Sequence, residues 1–227
     1  MEDQFERTTN LIGAPGMQKL AAARVAVFGI GGVGGHCAEA LARAGVGVID
    51  LFDSDKVSLS NLNRQIVALH STIGRYKADV MAERIADINP LCAVCAFKIF
   101  YMPDTADTVD LSLYDYVVDA FDTVAGKVEL IRRAKKAGVR VICAMGAANK
   151  MDPSAFVVTD IQKTETDPLA KAVRKELRAN GIEGVKAVWS KEQPLVRCRP
   201  PASNSFVPPA CGLLLAAEVV KDLIASK

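Results

Sequence analysis

The amino-acid sequence predicts an α/β fold, with a mostly parallel sheet flanked by helices. Apolar segments rich in β-branched residues alternate with helical patterns over residues 24 to about 145. This alternation is typical of a parallel sheet with right-handed crossovers. The 227 residues, half of them hydrophobic, suffice for one sizeable core, so we expect a single domain.

The first predicted strand leads into a glycine-rich turn, residues 25–34 (VAVFGIGGVG), and then into a helix around residues 37–43. In a Rossmann-like sheet, the backbone amides of such a turn and the helix N-terminus bind phosphate. Gly29 would permit the tight turn, Gly31 a close approach to phosphate, and Gly34 close packing of the helix on the strand. The predicted nucleotide contacts of this turn are Gly29, Gly31, Gly32 and Gly34.

The second predicted strand, residues 46–52 (VGVIDLF), ends at Asp53, whose carboxylate can accept hydrogen bonds from both hydroxyls of a ribose. Up to this point the pattern also fits an NAD-binding protein. Several polar residues then follow beyond the carboxyl end of the strand, where ligands bind in such sheets. Hydride transfer has no need for these groups, whereas a bound triphosphate does. They are Asp55, Asn61, Asn63, Arg64 and Gln65.

Two cations and one carboxylate complete the predicted site. Arg64 can form a forked pair with phosphate oxygens, and Lys77 supplies a point charge, which suits the charge that builds up during nucleotidyl transfer. Residues 113–122 (LYDYVVDAFD) predict a further buried strand that ends at Asp122, a carboxylate suited to the magnesium ion that bridges the phosphates. Taken in isolation, Arg64 and Lys77 are equally well explained as solvated helix charges.

After Gly146 the strand–helix alternation ends, and the remaining sequence predicts a less regular C-terminal extension with a long final helix. We therefore divide the single domain into a nucleotide-binding core, residues 1–150, and a substrate-side lobe with the final helix, residues 151–227. The proline-rich residues 199–209 are expected to form a loop before that helix. Other predicted helices cover residues 78–88, 128–137, 169–177 and part of 10–23, and other predicted strands cover residues 92–99, 139–143, 156–161 and 185–190.

The two halves of the chain differ in charge, although the overall formal charge is only +2. Residues 1–122 hold 10 Lys and Arg against 16 Asp and Glu, a net charge of −6, whereas residues 123–227 hold 18 against 10, a net charge of +8. Two basic segments of the second half, residues 132–136 and 171–178, are candidates for binding a polyanion through salt-sensitive contacts. Ordinary solvated helix faces explain the same pattern.

The six cysteines include one C-x-x-C pair, at residues 92–95. A closed tetrahedral zinc site needs four ligands, so we expect no structural zinc. Cys198 lies between two arginines, surroundings that can activate a thiol, although an incidental cysteine fits equally well. The thiols expected to be buried and unreactive are Cys37, Cys143 and Cys211.

The sequence predicts a cytoplasmic protein without a membrane association. Its amino-terminal segment does not resemble a signal peptide, and the cysteines do not suggest a disulfide framework. The most apolar stretch, residues 210–220, is interrupted by Glu218 and is too short to span a bilayer.

These features together resemble the ThiF/MoeB/ubiquitin-activating family of ATP-dependent adenylating enzymes. The resemblance covers nearly the whole chain and is carried by residues 29–34, Asp53, residues 61–65, Lys77 and Asp122. Within this family, the chain is similar to the enzymes that act on threonylcarbamoyladenosine in tRNA. That closer resemblance is carried by residues 5–8 (FERT), 144–153 (AMGAANKMDP), 167–171 (DPLAK) and 205–209 (SFVPP).

The resemblance implies a homodimer in which Arg7 reaches the phosphates bound by the other subunit. It also implies that Asp53 holds the ribose, that Arg64 and Lys77 hold the phosphates, and that Asp122 holds Mg²⁺. In the implied reaction, ATP adenylates the threonyl carboxylate of the modified tRNA nucleoside. The neighbouring carbamoyl oxygen then closes an oxazolone ring and releases AMP, so the net change is loss of water. The resemblance leaves a sulfur-transfer partner and a monovalent cation open.

Two other functions stay open at this level. An adenylyltransferase for a ubiquitin-like or sulfur-carrier protein would use the same phosphate site, and the absence of a four-cysteine zinc set from the sequence weighs against it. A nicotinamide-dependent oxidoreductase would leave residues 61–65 and Lys77 as surface residues. The family resemblance, and not the residue spacing, selects tRNA over a carrier protein.

Overall fold

One seven-stranded sheet organises residues 3–225, the part of the chain that the computed structural model describes. In chain order the strands are β1 Arg24–Phe28, β2 Val48–Phe52, β3 Ala93–Phe97, β4 Tyr116–Asp119, β5 Arg140–Ala144, β6 Phe156–Asp160 and β7 Lys186–Ser190. Across the sheet their order is β3-β2-β1-β4-β5-β7-β6. All neighbouring pairs are parallel except β6 and β7, which are antiparallel. The predicted fold class is confirmed.

Helices pack on both faces of this sheet. They are α1 Glu6–Ala22, α2 Gly34–Ala44, α3 Lys77–Ile88, α4 Val124–Lys136, α5 Pro168–Ala179 and α6 Val207–Ala225. Alternate residues of β1 show why both faces are covered: Val25 and Val27 belong to the core under α2, α3 and α6, whereas Ala26 and Phe28 belong to the core under α4 and α5. A strand that is apolar on both sides needs a helical layer on each side.

The strand predicted to end at Asp122 ends instead at Asp119, so this predicted boundary was wrong. Asp119 pairs in register with Phe28 and Cys143 of the neighbouring strands. Its Oδ1 atom accepts a hydrogen bond of 2.7 Å from the Lys127 ammonium, and both side chains are fully buried. The sheet pairing and this ion pair fix the last strand residue, and Asp122 lies in the short loop between β4 and α4.

The final helix α6 packs against the glycine-rich turn because it carries a glycine at the contact. A Cβ atom added at Gly212 would lie only 2.2 Å from the backbone oxygen of Val33, which directly precedes α2. The first turn of α6 is equally close to this region, since Pro208 lies 3.2 Å from the position that a Cβ atom would take at Gly32. None of the helices within residues 3–225 is long and apolar enough to cross a membrane.

The C-terminal part of the chain continues the same sheet. The two strands predicted there are present as β6 and β7, and β7 pairs in parallel with β5. Residues 10–23, predicted to be helical in part, lie mostly in α1, which is interrupted where Gly13 has a φ of 75° and Pro15 follows. The division into a core of residues 1–150 and a lobe of residues 151–227 stays a prediction.

Candidate functional site

A cleft of about 460 Å³ opens at the carboxyl ends of β1, β2, β4 and β5. This is where ligands bind in open α/β sheets. All the predicted nucleotide contacts line the cleft except Gly34 and Asn63, and Asp122 lines it as well. The structure therefore brings together residues that lie far apart in the chain, from Gly29 to Pro208.

The glycines of the turn after β1 are required for different steric reasons. Gly29 has a φ of 87°, and a Cβ atom there would lie 2.9 Å from the backbone of Ala120. At Gly34 a Cβ atom would lie 1.8 Å from the Gly29 oxygen, so this glycine allows α2 to start close to β1 and does not itself face the cleft. At Gly31 the closest atom would be the Gln65 amide, at 3.7 Å. Gly31 thus leaves open space along the backbone, which fits a phosphate group.

Asp53 lies directly after β2 and is held by two backbone amides. Its Oδ2 atom accepts from the N–H of Ile30 at 2.7 Å, and its Oδ1 atom accepts from the N–H of Asp55 at 2.8 Å. Burial raises the pKa of this carboxyl above its usual range, and the nearby charge of Lys77 and the two amides offset part of that rise. Each oxygen keeps acceptor capacity, as a ribose contact requires.

Lys77 is a buried cation at the first turn of α3. Its Nζ atom lies 2.7 Å from Oδ2 of Asp55, whose side chain is 67% exposed, whereas that of Lys77 is 8% exposed. The backbone N–H of Lys77 also donates to the Asp55 oxygen at 3.0 Å. These contacts fix a positive charge at the wall of the cleft, where phosphates would face it.

The polar residues after β2 differ in how many of their groups are already engaged. The Asn61 oxygen accepts from the N–H of Ser58 at 3.0 Å, so this side chain also shapes the loop. Arg64 donates through one nitrogen to Asn63 at 2.8 Å and lines the cleft. Gln65 is buried, and its Oε1 atom has no partner in the described part of the chain. A buried amide oxygen without a partner is costly unless a ligand or water supplies one, which fits a polar ligand in the cleft.

Asp122 is an exposed carboxylate at the rim of the cleft. Its carboxylate forms no hydrogen bond or ion pair with any other residue of the range 3–225. Asp119 is its opposite, because it is buried and paired with Lys127. Sequence reasoning missed this pair, since a lysine in an amphipathic helix is usually solvated and nothing in the local pattern marks Lys127 as buried.

Arg7 does not reach the cleft of its own chain. It lies on the exposed side of α1 and is not among the residues that line the pocket. Its predicted role on the phosphates thus depends on a second copy of the chain, and it stays a prediction.

Residues 191–206, which we call the strap, cover the cleft between β7 and α6. Pro200, Pro201 and Ser203 of the strap line the pocket, and the Asn63 amide donates to the Ser203 oxygen at 3.1 Å. The sequence indicated a proline-rich loop here but gave no sign that it folds over the nucleotide site. The contact joins Asn63 and Ser203, which lie 140 residues apart in the chain, so no local sequence pattern predicts it.

The cysteines predicted to be buried are buried. Burial raises the pKa of the Cys37 and Cys143 thiols above their usual range and that of Cys211 to about 12. The C-x-x-C pair has one buried member, Cys92, and one exposed member, Cys95. The expected lack of structural zinc stays a prediction.

Many cations of the basic half are engaged within the chain. Arg132 and Arg133 both pair with Glu129 on α4. On α5, Arg174 donates to Thr164, whereas Lys171 is exposed. The exposed lysines that remain in the two candidate segments are Lys136 of α4 and Lys171 and Lys175 of α5.

Comparison with known proteins gives a consistent set of relatives. A family model described as the ThiF family matches residues 5–226. The chain is 46% identical over 243 residues to the tRNA threonylcarbamoyladenosine dehydratase of Bacillus subtilis (strain 168), covering 99% of this chain and 96% of that protein. The structure superimposes on the E. coli tRNA N6-threonylcarbamoyladenosine dehydratase in complex with AMP with a TM-score of 0.93 and 37% identity, covering 98% of this chain and 94% of that one. The complex of that E. coli protein with ATP gives a TM-score of 0.91 at the same identity and coverage.

Proposed function

This chain belongs to the ThiF family, and we infer that it is an ATP-dependent dehydratase acting on threonylcarbamoyladenosine in tRNA. The observation that carries the inference is the cleft at the strand ends, which combines an open glycine turn with Asp53, Arg64 and Lys77. The chain is similar over nearly its whole length to a dehydratase that has been solved with ATP and with AMP.

In the first step the cleft binds ATP as a substrate. Asp53 accepts from the ribose hydroxyls, and the turn at Gly31 with Arg64 and Lys77 surrounds the phosphates. An oxygen of the threonyl carboxylate attacks the α-phosphorus, the bond from that phosphorus to the bridging oxygen breaks, and pyrophosphate leaves. Fixed positive groups favour this step because negative charge shifts onto the leaving pyrophosphate.

In the second step the carbamoyl oxygen of the same nucleoside attacks the activated acyl carbon. A carbon–oxygen bond forms, the bond to AMP breaks, and the carbamoyl nitrogen loses its proton, which closes the oxazolone ring. Attacker and acyl carbon belong to one molecule, so the step is effectively unimolecular. The step requires no enzyme thiol, and Cys37, Cys143 and Cys211 are buried.

Mg²⁺ fits the cleft at Asp122. An exposed carboxylate without an internal partner offers the oxygen ligand that this ion prefers. Within the described residues no group of three or more His, Cys, Asp or Glu could hold a metal ion, so phosphate oxygens and water would complete the shell. When bound, the ion would neutralise phosphate charge.

The quaternary structure and partners are part of the proposal. Arg7 lies outside its own cleft, which supports a homodimer in which it serves the other subunit. The tRNA carries the modified nucleoside and meets the basic half of the chain in the cytoplasm. A sulfur-transfer partner and a monovalent cation are compatible with this scheme and are not needed for either chemical step.

The alternative, an adenylyltransferase for a carrier protein, is not favoured. The 46% identity to the Bacillus subtilis dehydratase extends over 99% of the chain and supports the tRNA substrate. A carrier protein would present its carboxylate at the same phosphates, so the acceptor decides between the two functions.

The test is direct. Purified protein is incubated with ATP, Mg²⁺ and threonylcarbamoylated tRNA, and the nucleosides are analysed by mass spectrometry. We expect a nucleoside lighter by one water, formed only with ATP. Absence of that product, together with ATP–pyrophosphate exchange driven by a carrier protein, would reject the proposed function in favour of the alternative.

A further inference from the structure

A second and larger cavity adjoins the nucleotide cleft. This cavity, which we call the acceptor chamber, has a volume of about 740 Å³ and lies between the loop after β5, the start of α5 and the strap. Pockets of about 300–1,000 Å³ are the usual size for small-molecule sites. The two cavities share four residues as a common wall, namely Gly146, Ala148, Leu169 and Pro201.

The common wall is fixed from both sides at Gly146. The Gly146 N–H donates to Oδ2 of Asp167 at 2.7 Å, and the Gly146 oxygen accepts from the Lys150 ammonium at 2.9 Å. A Cβ atom at Gly146 would lie 2.8 Å from the Asp167 carboxylate, so this position has no room for a side chain. Lys150 is 5% exposed, and burial lowers its pKa from the usual value. A rigid wall of this kind would hold two reactants at a fixed separation.

The chamber also contains unusual backbone conformations. Within residues 3–225 only two residues other than glycine have a positive φ, Asn149 at 62° and Thr166 at 56°, and both line the chamber. The left-handed region is a genuine outlier for a β-branched residue such as Thr166. Such strain persists only where surrounding contacts enforce it, and it concentrates at ligand sites.

Asn149 uses its conformation to fasten the strap over the chamber. Its Oδ1 atom accepts from the Ala202 N–H at 2.7 Å, and its own N–H donates to the Ala202 oxygen at 2.8 Å. Its backbone oxygen accepts from the Leu195 N–H at 2.8 Å. The strap is therefore an ordered roof of the chamber.

The strap presents two free cations to the chamber. Arg197 and Arg199 line it, and neither guanidinium forms a hydrogen bond or ion pair with the described residues of the chain. Lys150 pairs with the one carboxylate of the lining, since its Nζ atom lies 3.9 Å from Oδ2 of Asp167, which also accepts from the N–H of Gly146. The two arginines have no such counter-charge among the lining residues. An excess of positive charge with unused guanidinium donors selects an anionic ligand, since the guanidinium fork matches a carboxylate.

We propose that the acceptor chamber binds the threonylcarbamoyl nucleoside, with Arg197 and Arg199 of the strap gripping its carboxylate-bearing side chain beside the common wall. This proposal rests on the proposed function and adds to it the site at which the acceptor nucleoside binds. Arg197 and Arg199 steer the anionic group towards the wall at Gly146, on the other side of which the nucleotide cleft lies. They act on substrate recognition and leave the nucleotide contacts unchanged.

The experiment compares Arg197→Gln/Arg199→Gln with a matched double variant, Lys163→Gln/Lys191→Gln. The control removes the same charge from exposed positions of the same half of the chain that line neither cavity. Dehydration of threonylcarbamoylated tRNA is measured at saturating ATP, and ATP binding is measured by calorimetry. We expect kcat/KM for the tRNA to fall about 10- to 100-fold in the arginine variant, because two charge-assisted contacts are lost, and to change less than about threefold in the control. The Kd for ATP stays within about twofold of wild type.

A second arm separates the carboxylate from the phosphate backbone, which arginines also bind. The affinities of both variants are measured for the same tRNA without the threonylcarbamoyl group. An equal loss of affinity for the two tRNAs in the arginine variant would show backbone contacts only and overturn the proposal. An unchanged kcat/KM for modified tRNA in that variant would overturn it as well. Two results together would reject the proposed function itself: wild type makes no dehydrated nucleoside, and a peptide ending in a glycine carboxylate supports pyrophosphate exchange. The acceptor chamber would then bind the C-terminus of a carrier protein.

Discussion

The nucleotide cleft and the acceptor chamber share a wall but are built on different principles. In the cleft, most charged groups are fixed before any ligand arrives: two backbone amides hold Asp53, and Asp55 pairs with Lys77. In the chamber, Arg197 and Arg199 have no such contacts within residues 3–225. Fixed dipoles and charges suit a reaction centre, because they need no reorganisation as charge moves. Long cations without internal partners suit the capture of a bulky macromolecular substrate.

The comparison predicts where a mutation affects activity and where it affects stability. A group with no internal partner should change function and leave the fold intact. A group engaged inside the chain should change stability first.

The largest expected effect is on activity, at Asp122. Asp122→Ala removes an exposed carboxylate that forms no hydrogen bond or ion pair with the described residues, so the free energy of unfolding should change by less than about 0.5 kcal/mol. The Mg²⁺-dependent turnover should fall about 1,000-fold, equivalent to about 4 kcal/mol of lost transition-state stabilisation. Steady-state kinetics and urea denaturation of the same preparation check both halves. Normal turnover by the well-folded variant would remove Asp122 from the proposed Mg²⁺ site.

The next effect is on stability, at Lys127. Lys127→Met leaves the Asp119 carboxylate fully buried without its partner, so the free energy of unfolding should fall by about 3–5 kcal/mol. Lys136→Met, at an exposed position near the end of the same helix, serves as the control and should change it by less than about 0.5 kcal/mol. Urea denaturation measures both variants. Equal stability of the two would show that the buried pair contributes nothing to the fold.

A smaller effect concerns the pH dependence of ATP binding at Asp53. Burial raises the pKa of this carboxyl, so the folded protein binds the proton more tightly than the unfolded chain does. This group therefore favours folding at low pH, and that contribution is lost as pH rises through the raised pKa. ATP binding follows the opposite sign, because a protonated Asp53 accepts hydrogen bonds poorly.

Calorimetric titrations with ATP from neutral pH down to the ordinary carboxyl range, about pH 4, test this prediction. We expect the affinity of wild type to fall by up to about tenfold per pH unit once the pH is below the raised pKa. Asp53→Asn removes the titrating group while ATP titrates as before, so the difference between the two profiles isolates Asp53. Parallel profiles would show that this carboxyl does not control binding.

The smallest effect concerns the outer basic surface. Lys171→Gln/Lys175→Gln neutralises two exposed lysines of α5. Neither lysine lines the nucleotide cleft or the acceptor chamber. Affinity for tRNA should fall only a few-fold at moderate salt, and the slope of log affinity against log salt should decrease by up to about 2. Binding assays over a salt series measure the slope. An unchanged slope would assign the polyanion contacts to another surface.

The cleft was largely predictable because its parts carry local signals. The glycine turn, Asp53 and residues 61–65 each follow directly from a strand pattern, and parallel strands bring their carboxyl ends to one edge. The pattern could not distinguish Asp119 from Asp122 as the strand end, because that choice depends on the buried partner Lys127.

The chamber could not be predicted because it depends on contacts between distant segments. Asn149, Thr166 and Arg197 lie on three separate loops, and no periodicity relates them. The strap was expected only as a proline-rich loop, and its position over the site follows from its hydrogen bonds to Asn63 and Asn149. Strands β6 and β7 were expected, but their place at one edge of the sheet depends on pairing that the sequence does not encode locally.

The attachment of the strap at two points affects the lifetime of the acyl-adenylate intermediate. The strap is hydrogen-bonded to Asn63 beside the nucleotide cleft and to Asn149 beside the acceptor chamber. Opening either cavity to solvent at the strap would therefore disturb the strap over the other cavity as well. An acyl-adenylate is prone to hydrolysis, and a shared cover shields it from bulk water until the ring has closed. Spent AMP and finished tRNA would then depart in a single opening event.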